Sequence, residues 1–145
     1  MKTFFAALTL LFAALSAAAF ASPPGMSVKN AWIAEAPPVS KVMVAYLTIE
    51  NNSAEDIIIV KAESDLYSSI EFHETRHEDG MARMLRHDSL LIPANGHLIL
   101  KRGGKHLMLF NPVRRLKAGD NVSINLTTKN NVKKIIHVTV KKSQY

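Results

Sequence analysis

From Val28 onward, apolar residues come in short runs of strand length, cut by turn-forming residues. Val28 to Ala34 reads as a first strand carrying Trp32 and ends at Ala36-Pro37-Pro38. From Lys41 to Glu50, Val42, Val44 and Tyr46 interleave with Met43, Ala45 and Leu47, ahead of the turn signal Asn51-Asn52-Ser53. Ile57 to Ala62 is a β-branched run. Ile70 to Thr75 and Met81 to His87 flank the turn-forming Glu78-Asp79-Gly80. Short strands at Leu91-Ile92 and at Leu98 to Leu100 are separated by Pro93-Ala94-Asn95-Gly96. His106 to Phe110 follows Gly103-Gly104, and Val122 to Thr127 follows Lys117-Ala118-Gly119-Asp120. Ile135 to Val140 closes the series before Lys141-Lys142. No segment keeps a 3.6-residue apolar period over three turns. The pattern predicts an all-β sandwich or barrel of eight or nine short strands, one domain without an internal linker. Trp32 and Tyr46 are expected among its core aromatics.

The first residues follow another pattern. Lys2 precedes a run from Phe4 to Phe20 that only Thr9 and Ser16 interrupt, and Ala19-Phe20-Ala21 supplies a small-x-small cleavage pattern. This predicts a signal peptide over residues 1–21, cut after Ala21, with a domain over 22–145 lying in the periplasm. The competing reading is an uncleaved anchor, since the run is about long enough to span a bilayer. No other segment is long and apolar enough to cross a membrane.

Composition narrows the chemistry. There is no cysteine, so thiol redox chemistry, a cysteine nucleophile, a cysteine-linked lipid and a blue-copper thiolate site are all excluded. The net charge is +6, with 18 Lys+Arg against 12 Asp+Glu. Export and the lack of aromatic residues interleaved with basic ones argue against nucleic acid. A basic surface instead suits an acidic partner domain or loose association with an anionic membrane. No Gly-x-Ser-x-Gly motif and no phosphate loop occur, so an enzyme is not expected.

The informative residues are His paired with Met. His106 and Met108, two apart, share a face if they lie on a strand. A hairpin around His77–Gly80 sets Arg76 opposite Met81 and His73 opposite Met84; a two-residue loop shifts this register but keeps both side chains on one face. His73 and His77 would share a helix face, but on a strand they stand about 13 Å apart, too far for one zinc ion. Met43 and Met81 are read as packing or surface residues, with a transient metal contact conceivable at Met81. His77, His87, His97 and His137 are read as surface histidines. Thioethers are soft, neutral donors, so two His–Met pairs that met would favour Cu(I) over zinc, magnesium or calcium. Spacing alone leaves open whether the two pairs meet.

The spacing His73, ten residues, Met84, twenty-one residues, His106, one residue, Met108 resembles the signature of the PCu(A)C family of periplasmic copper chaperones. Surrounding blocks agree, among them Glu71-Phe72-His73-Glu74, Asp79-Gly80-Met81-Ala82-Arg83-Met84 and Gly103-Gly104-Lys105-His106-Leu107-Met108-Leu109. The resemblance runs from about Val28 to Val140. It implies a cupredoxin-like β-sandwich or barrel holding one Cu(I) near the surface through His73, Met84, His106 and Met108. It also implies delivery of copper to cytochrome c oxidase, at the CuA centre of subunit II or through a Sco-type protein. The alternative is a copper sequestration or resistance protein without a dedicated acceptor. The chain lacks the His/Met-rich C-terminal extension of some members, so one metal site is expected, in a monomer.

Overall fold

Strict alternation in one strand sets the inside and outside of the molecule. Met43, Ala45, Leu47 and Ile49 are buried, while Val42, Val44, Tyr46 and Thr48 between them are half-exposed. The computed structural model describes residues 25–143. The predicted signal peptide and its cut after Ala21 lie outside the described residues. Ten strands form: β1 (Met26–Ala34), β2 (Val42–Asn51), β3 (Ile57–Glu63), β4 (Tyr67–Glu78), β5 (Met81–His87), β6 (Leu90–Ile92), β7 (His97–Leu100), β8 (Lys105–Pro112), β9 (Asn121–Thr128) and β10 (Lys133–Lys141). Each of the ten segments named from the sequence forms a strand among the described residues, so the count is ten and not eight or nine; the two short ones pair, β6 with β3 and β7 with β2.

The strands follow one another in the order β5-β4-β8-β2-β1-β10-β9-β3-β6 and curl around a single core, the all-β, cupredoxin-like architecture expected. β1 joins the two halves: it runs antiparallel to β2 and parallel to β10. A bulge between Lys29 and Trp32, with Asn30 at φ 53°, lets β1 bend between those partners. Ile33, Leu47, Ile59, Leu107, Leu109, Ile124 and Val138 fill the inside. Asn51 is fully buried among them. Its amide donates to the carbonyls of Glu55, Ile92 and Pro93 (2.7, 3.1 and 3.2 Å), and its Oδ1 accepts from the Ser53 backbone N–H and hydroxyl (2.9 and 2.6 Å). One side chain thereby knots the β2–β3 turn to the end of β6. Among the described residues no helix is long and apolar enough to cross a membrane.

Candidate metal centre

Three adjacent strands carry the four residues singled out by spacing: β5 has Met84, β4 has His73, and β8 has His106 and Met108. In β4, Phe72 is buried in the core, which turns Glu71, His73 and Thr75 to the outer face. In β8, Leu107 and Leu109 point inward, so His106, Met108 and Phe110 share that outer face.

Register makes His73 the hub. It stands directly opposite His106, with ring centroids 6.2 Å apart, and Met108 lies one diagonal away, opposite Glu71. Across the other seam Met84 faces Thr75, again diagonal to His73. Diagonal neighbours, at about 7–8 Å, are within reach of long side chains. The direct His73–Met84 opposition expected from a four-residue loop does not form. Asp79 (φ 51°) and Gly80 (φ 75°) make a two-residue turn of type I′, with positive φ at both central positions. The pairing moves by two residues, and because strand side chains repeat every two, Met84 keeps its face. Met84 is 55% exposed on the edge strand, and its sulfur meets the Thr75 hydroxyl at 3.7 Å. The fold thus groups His73, His106 and Met108 and leaves Met84 at the rim.

Each imidazole is held by a different nitrogen. His106, 5% exposed, donates from Nδ1 to the Gly104 carbonyl at 2.9 Å. A carbonyl only accepts, so the proton is on Nδ1 and Nε2 keeps its lone pair. The same carbonyl accepts the Thr75 N–H at 3.0 Å, a geometry reached through Gly103 at φ 72°. His73 Nε2 lies 2.8 Å from Glu71 Oε2, while Glu71 Oε1 lies 3.3 Å from Arg86 Nη1. His73 Nδ1 is buried without a hydrogen-bond partner. An unmatched buried polar atom costs on the order of 1–3 kcal/mol, so one in a native structure calls for an explanation. Among the described residues no three His, Cys, Asp or Glu side chains group as a metal would require. An ion held here draws on the thioethers as well as the imidazoles.

The surroundings are apolar. Phe110 lies 6.3 Å from His73, Val44 is opposite Met108, and Val42 is opposite Phe110. Farther along the same face Tyr46 packs against Trp32, their ring centroids 5.1 Å apart and their planes tilted by 44°, with the Arg102 guanidinium 5.6 Å from the Trp32 ring. These two aromatics are half-buried on the outer face, not in the core as expected. The inward set of β2 is apolar from Met43 to Ile49, whereas Tyr46 belongs to the set that runs on to Thr48 and Glu50.

The remaining candidates lie apart from the His73–His106 pair. His77 keeps the outer face, four residues beyond His73 on β4, but stands exposed near the hairpin turn, opposite Ala82. Met81 is exposed but alternates to the opposite face of β5 from Met84, and Met43 is buried with its sulfur 3.3 Å from the Tyr67 hydroxyl. His87 bonds Glu74 at 2.7 Å on the face of the hairpin turned away from His73. Sequence reasoning missed Glu71 and Arg86. Glu71 could have been found, since it lies two residues before His73 on a strand. Arg86 could not, because its position opposite His73 depends on the two-residue turn.

Comparison with known proteins bears on these features. A family described as "Putative lipoprotein LpqE-like" matches residues 26–140. A lipoprotein of Leifsonia xyli subsp. xyli, itself described as putative, is 34% identical over 103 residues, covering 70% of this chain and 61% of its own length. The chain spans 53–61% of the length of the curated relatives it matches. The Cu(I) form of DR1885 from Deinococcus radiodurans is 36% identical with a TM-score of 0.68, covering 84% of this chain and 81% of that one. The copper-bound PCuAC domain of PmoF2 is 15% identical with a TM-score of 0.69, covering 82% and 94%, a likeness of fold.

Proposed function

This chain belongs to the LpqE-like family and has the fold of PCuAC domains, and from that premise we propose that it is a periplasmic Cu(I)-binding metallochaperone rather than an enzyme. One ion is taken by His73, His106, Met108 and Met84. The supporting observation is the pair of imidazoles opposed across β4 and β8. Each commits one nitrogen to a hydrogen bond and keeps the other for a metal, on a face that also holds two methionines. Two neutral imidazoles and two neutral thioethers match a soft, singly charged ion. Val42, Val44 and Phe110 keep that ion in apolar surroundings.

A carrier must also release its cargo. His106 is the buried anchor, and exposed Met84 on the edge strand is the ligand that incoming donors can displace first. The acceptor in this reading is the CuA centre of cytochrome c oxidase subunit II or a Sco-type protein, approached as a monomer along the basic surface. Residues 1–21 are read as an export signal, and the basic surface suits loose contact with an anionic membrane.

Cu(I) titration under reducing conditions tests binding: wild type should take one equivalent, and Met84→Ala and His106→Ala should weaken it. Equal binding by all three would refute the site. Mixing the loaded protein with an apo CuA domain or a Sco-type protein tests delivery. A copper store without a dedicated acceptor would bind Cu(I) and fail to hand it over.

A further inference from the structure

The two imidazoles of the site present different nitrogens, and one carboxylate accounts for the difference. Glu71 and His73 are two apart on β4, so they share the outer face. One Glu71 oxygen accepts from His73 Nε2 at 2.8 Å, and the other is 3.3 Å from Arg86 Nη1. Arg86 stands opposite His73 on β5, and Met108 stands opposite Glu71 on β8. The carboxylate is therefore held from the β5 side, beside His73 and opposite Met108. The side chains of Glu71 and His73 are 24% and 13% exposed, so water competes weakly for this bond.

We propose that Glu71 is the positioning residue of the site: it fixes His73 as the Nε2-protonated tautomer, so that the metal is taken by Nδ1, while His106 takes it through Nε2. This inference rests on the Cu(I) reading above and adds to it a residue outside the four ligands. The proton placement follows from acceptor chemistry, since an ionised carboxylate and a carbonyl both accept only. It also explains the buried, unpartnered Nδ1 of His73, whose lone pair is left for a metal. A carboxylate on the far nitrogen of a histidine ligand orients the ring and raises its basicity, and losing such a partner weakens metal binding about 10- to 100-fold. The neutral donor set further gains a nearby negative charge to balance the bound cation. Arg86 limits that gain and keeps the carboxylate from swinging inward to become a ligand itself.

The test begins without metal. Long-range proton–nitrogen NMR of the apo protein should show His73 protonated at Nε2 and His106 at Nδ1. In Glu71→Ala, His73 should become a mixture of tautomers while His106 is unchanged, and Cu(I) affinity, read by competition with a chromophoric chelator, should drop about 10- to 100-fold. Glu71→Gln keeps an acceptor at the same place without the charge. It should preserve the tautomer and fall between wild type and Glu71→Ala in affinity, and it serves if the alanine variant folds poorly. His73 protonated at Nδ1 in wild type would overturn the proposal, as would a tautomer or an affinity indifferent to Glu71→Ala. Correct tautomers in a wild-type protein that binds no Cu(I) would overturn the copper reading and the metal role of Glu71 with it, a result distinct from failure of the tautomer assignment.

Discussion

His73 lies directly opposite His106 across the β4–β8 seam, their ring centroids 6.2 Å apart, and that seam is interior to the sheet, while Met84 hangs on its edge. The candidate site therefore has a fixed half and a movable half. The fixed half is tied by the Gly104 carbonyl, which accepts both the His106 ring N–H and the Thr75 backbone N–H. The movable half is a 55% exposed side chain with one weak contact.

That division predicts that stability and binding separate between variants. Met84→Ala should leave folding stability within about 0.5 kcal/mol of wild type, as surface changes usually do, while lowering Cu(I) affinity. His106→Ala should lower both, with a stability loss of about 1–3 kcal/mol from lost packing and a broken buried hydrogen bond. Urea denaturation of the apo proteins beside a Cu(I) competition assay checks the pair. Equal stability losses would remove the distinction.

Methionine oxidation gives an independent reading of which sulfurs face the metal. In the apo protein, peroxide should convert Met81 and Met84, 56% and 55% exposed, well before Met26 and Met43, 4% and 3% exposed. Silver(I) is a soft, redox-inert stand-in for Cu(I). Its addition should protect Met84 and leave Met81 as reactive as before, because the two alternate to opposite faces of β5. Peptide mass spectrometry reads the result, and equal protection of both would remove Met84 from its assigned place.

Much of this was legible in the sequence, for physical reasons that differ by element. The strands were readable because half-buried sheets impose a period of two and because Asn-, Gly- and Pro-rich turns punctuate them. The common face of His106 and Met108 followed from the same period. The union of the two His–Met pairs was not legible. It depends on β4 pairing with β8, a long-range contact that no local spacing encodes. The His73–Met84 relation was half legible: the face survived, and the register did not, because Asp79-Gly80 forms the tighter turn. Trp32 and Tyr46 were misplaced because both sets of alternating residues in β2 begin apolar, and only Thr48 and Glu50 mark which set faces out.

Asn51 is the residue on which the turn beside β3 depends. Replacing it by alanine removes the donor shared by the carbonyls of Glu55, Ile92 and Pro93 and the acceptor of Ser53. Unmatched buried polar groups cost on the order of 1–3 kcal/mol each. Asn51→Ala should therefore be destabilised by at least that much. Asn51→Asp should be worse at neutral pH, since it sets a buried charge against carbonyl oxygens. Denaturation midpoints for the two variants order the effects, and an aspartate variant as stable as wild type would refute the account.

Asp120 supplies a pH-dependent contribution to the same fold. The Lys117 backbone N–H, 2.9 Å from Oδ2, and then Arg114, at 3.1 Å, hold its carboxyl below the usual aspartate range. A carboxyl whose folded pKa is depressed contributes stability that is present above its unfolded pKa, about 3.9, and lost as pH falls through the folded value. Wild type should therefore melt higher than Asp120→Asn at about pH 7, and the gap should close as the solution is taken below the usual aspartate range and through the depressed folded value. The asparagine variant still offers an oxygen to the Lys117 N–H, so the difference reports mainly the charge facing Arg114. Added salt should narrow it at neutral pH. Melting curves of the two proteins across pH and ionic strength measure this, and a gap that stayed constant into acid would show that the carboxylate charge contributes nothing to folding.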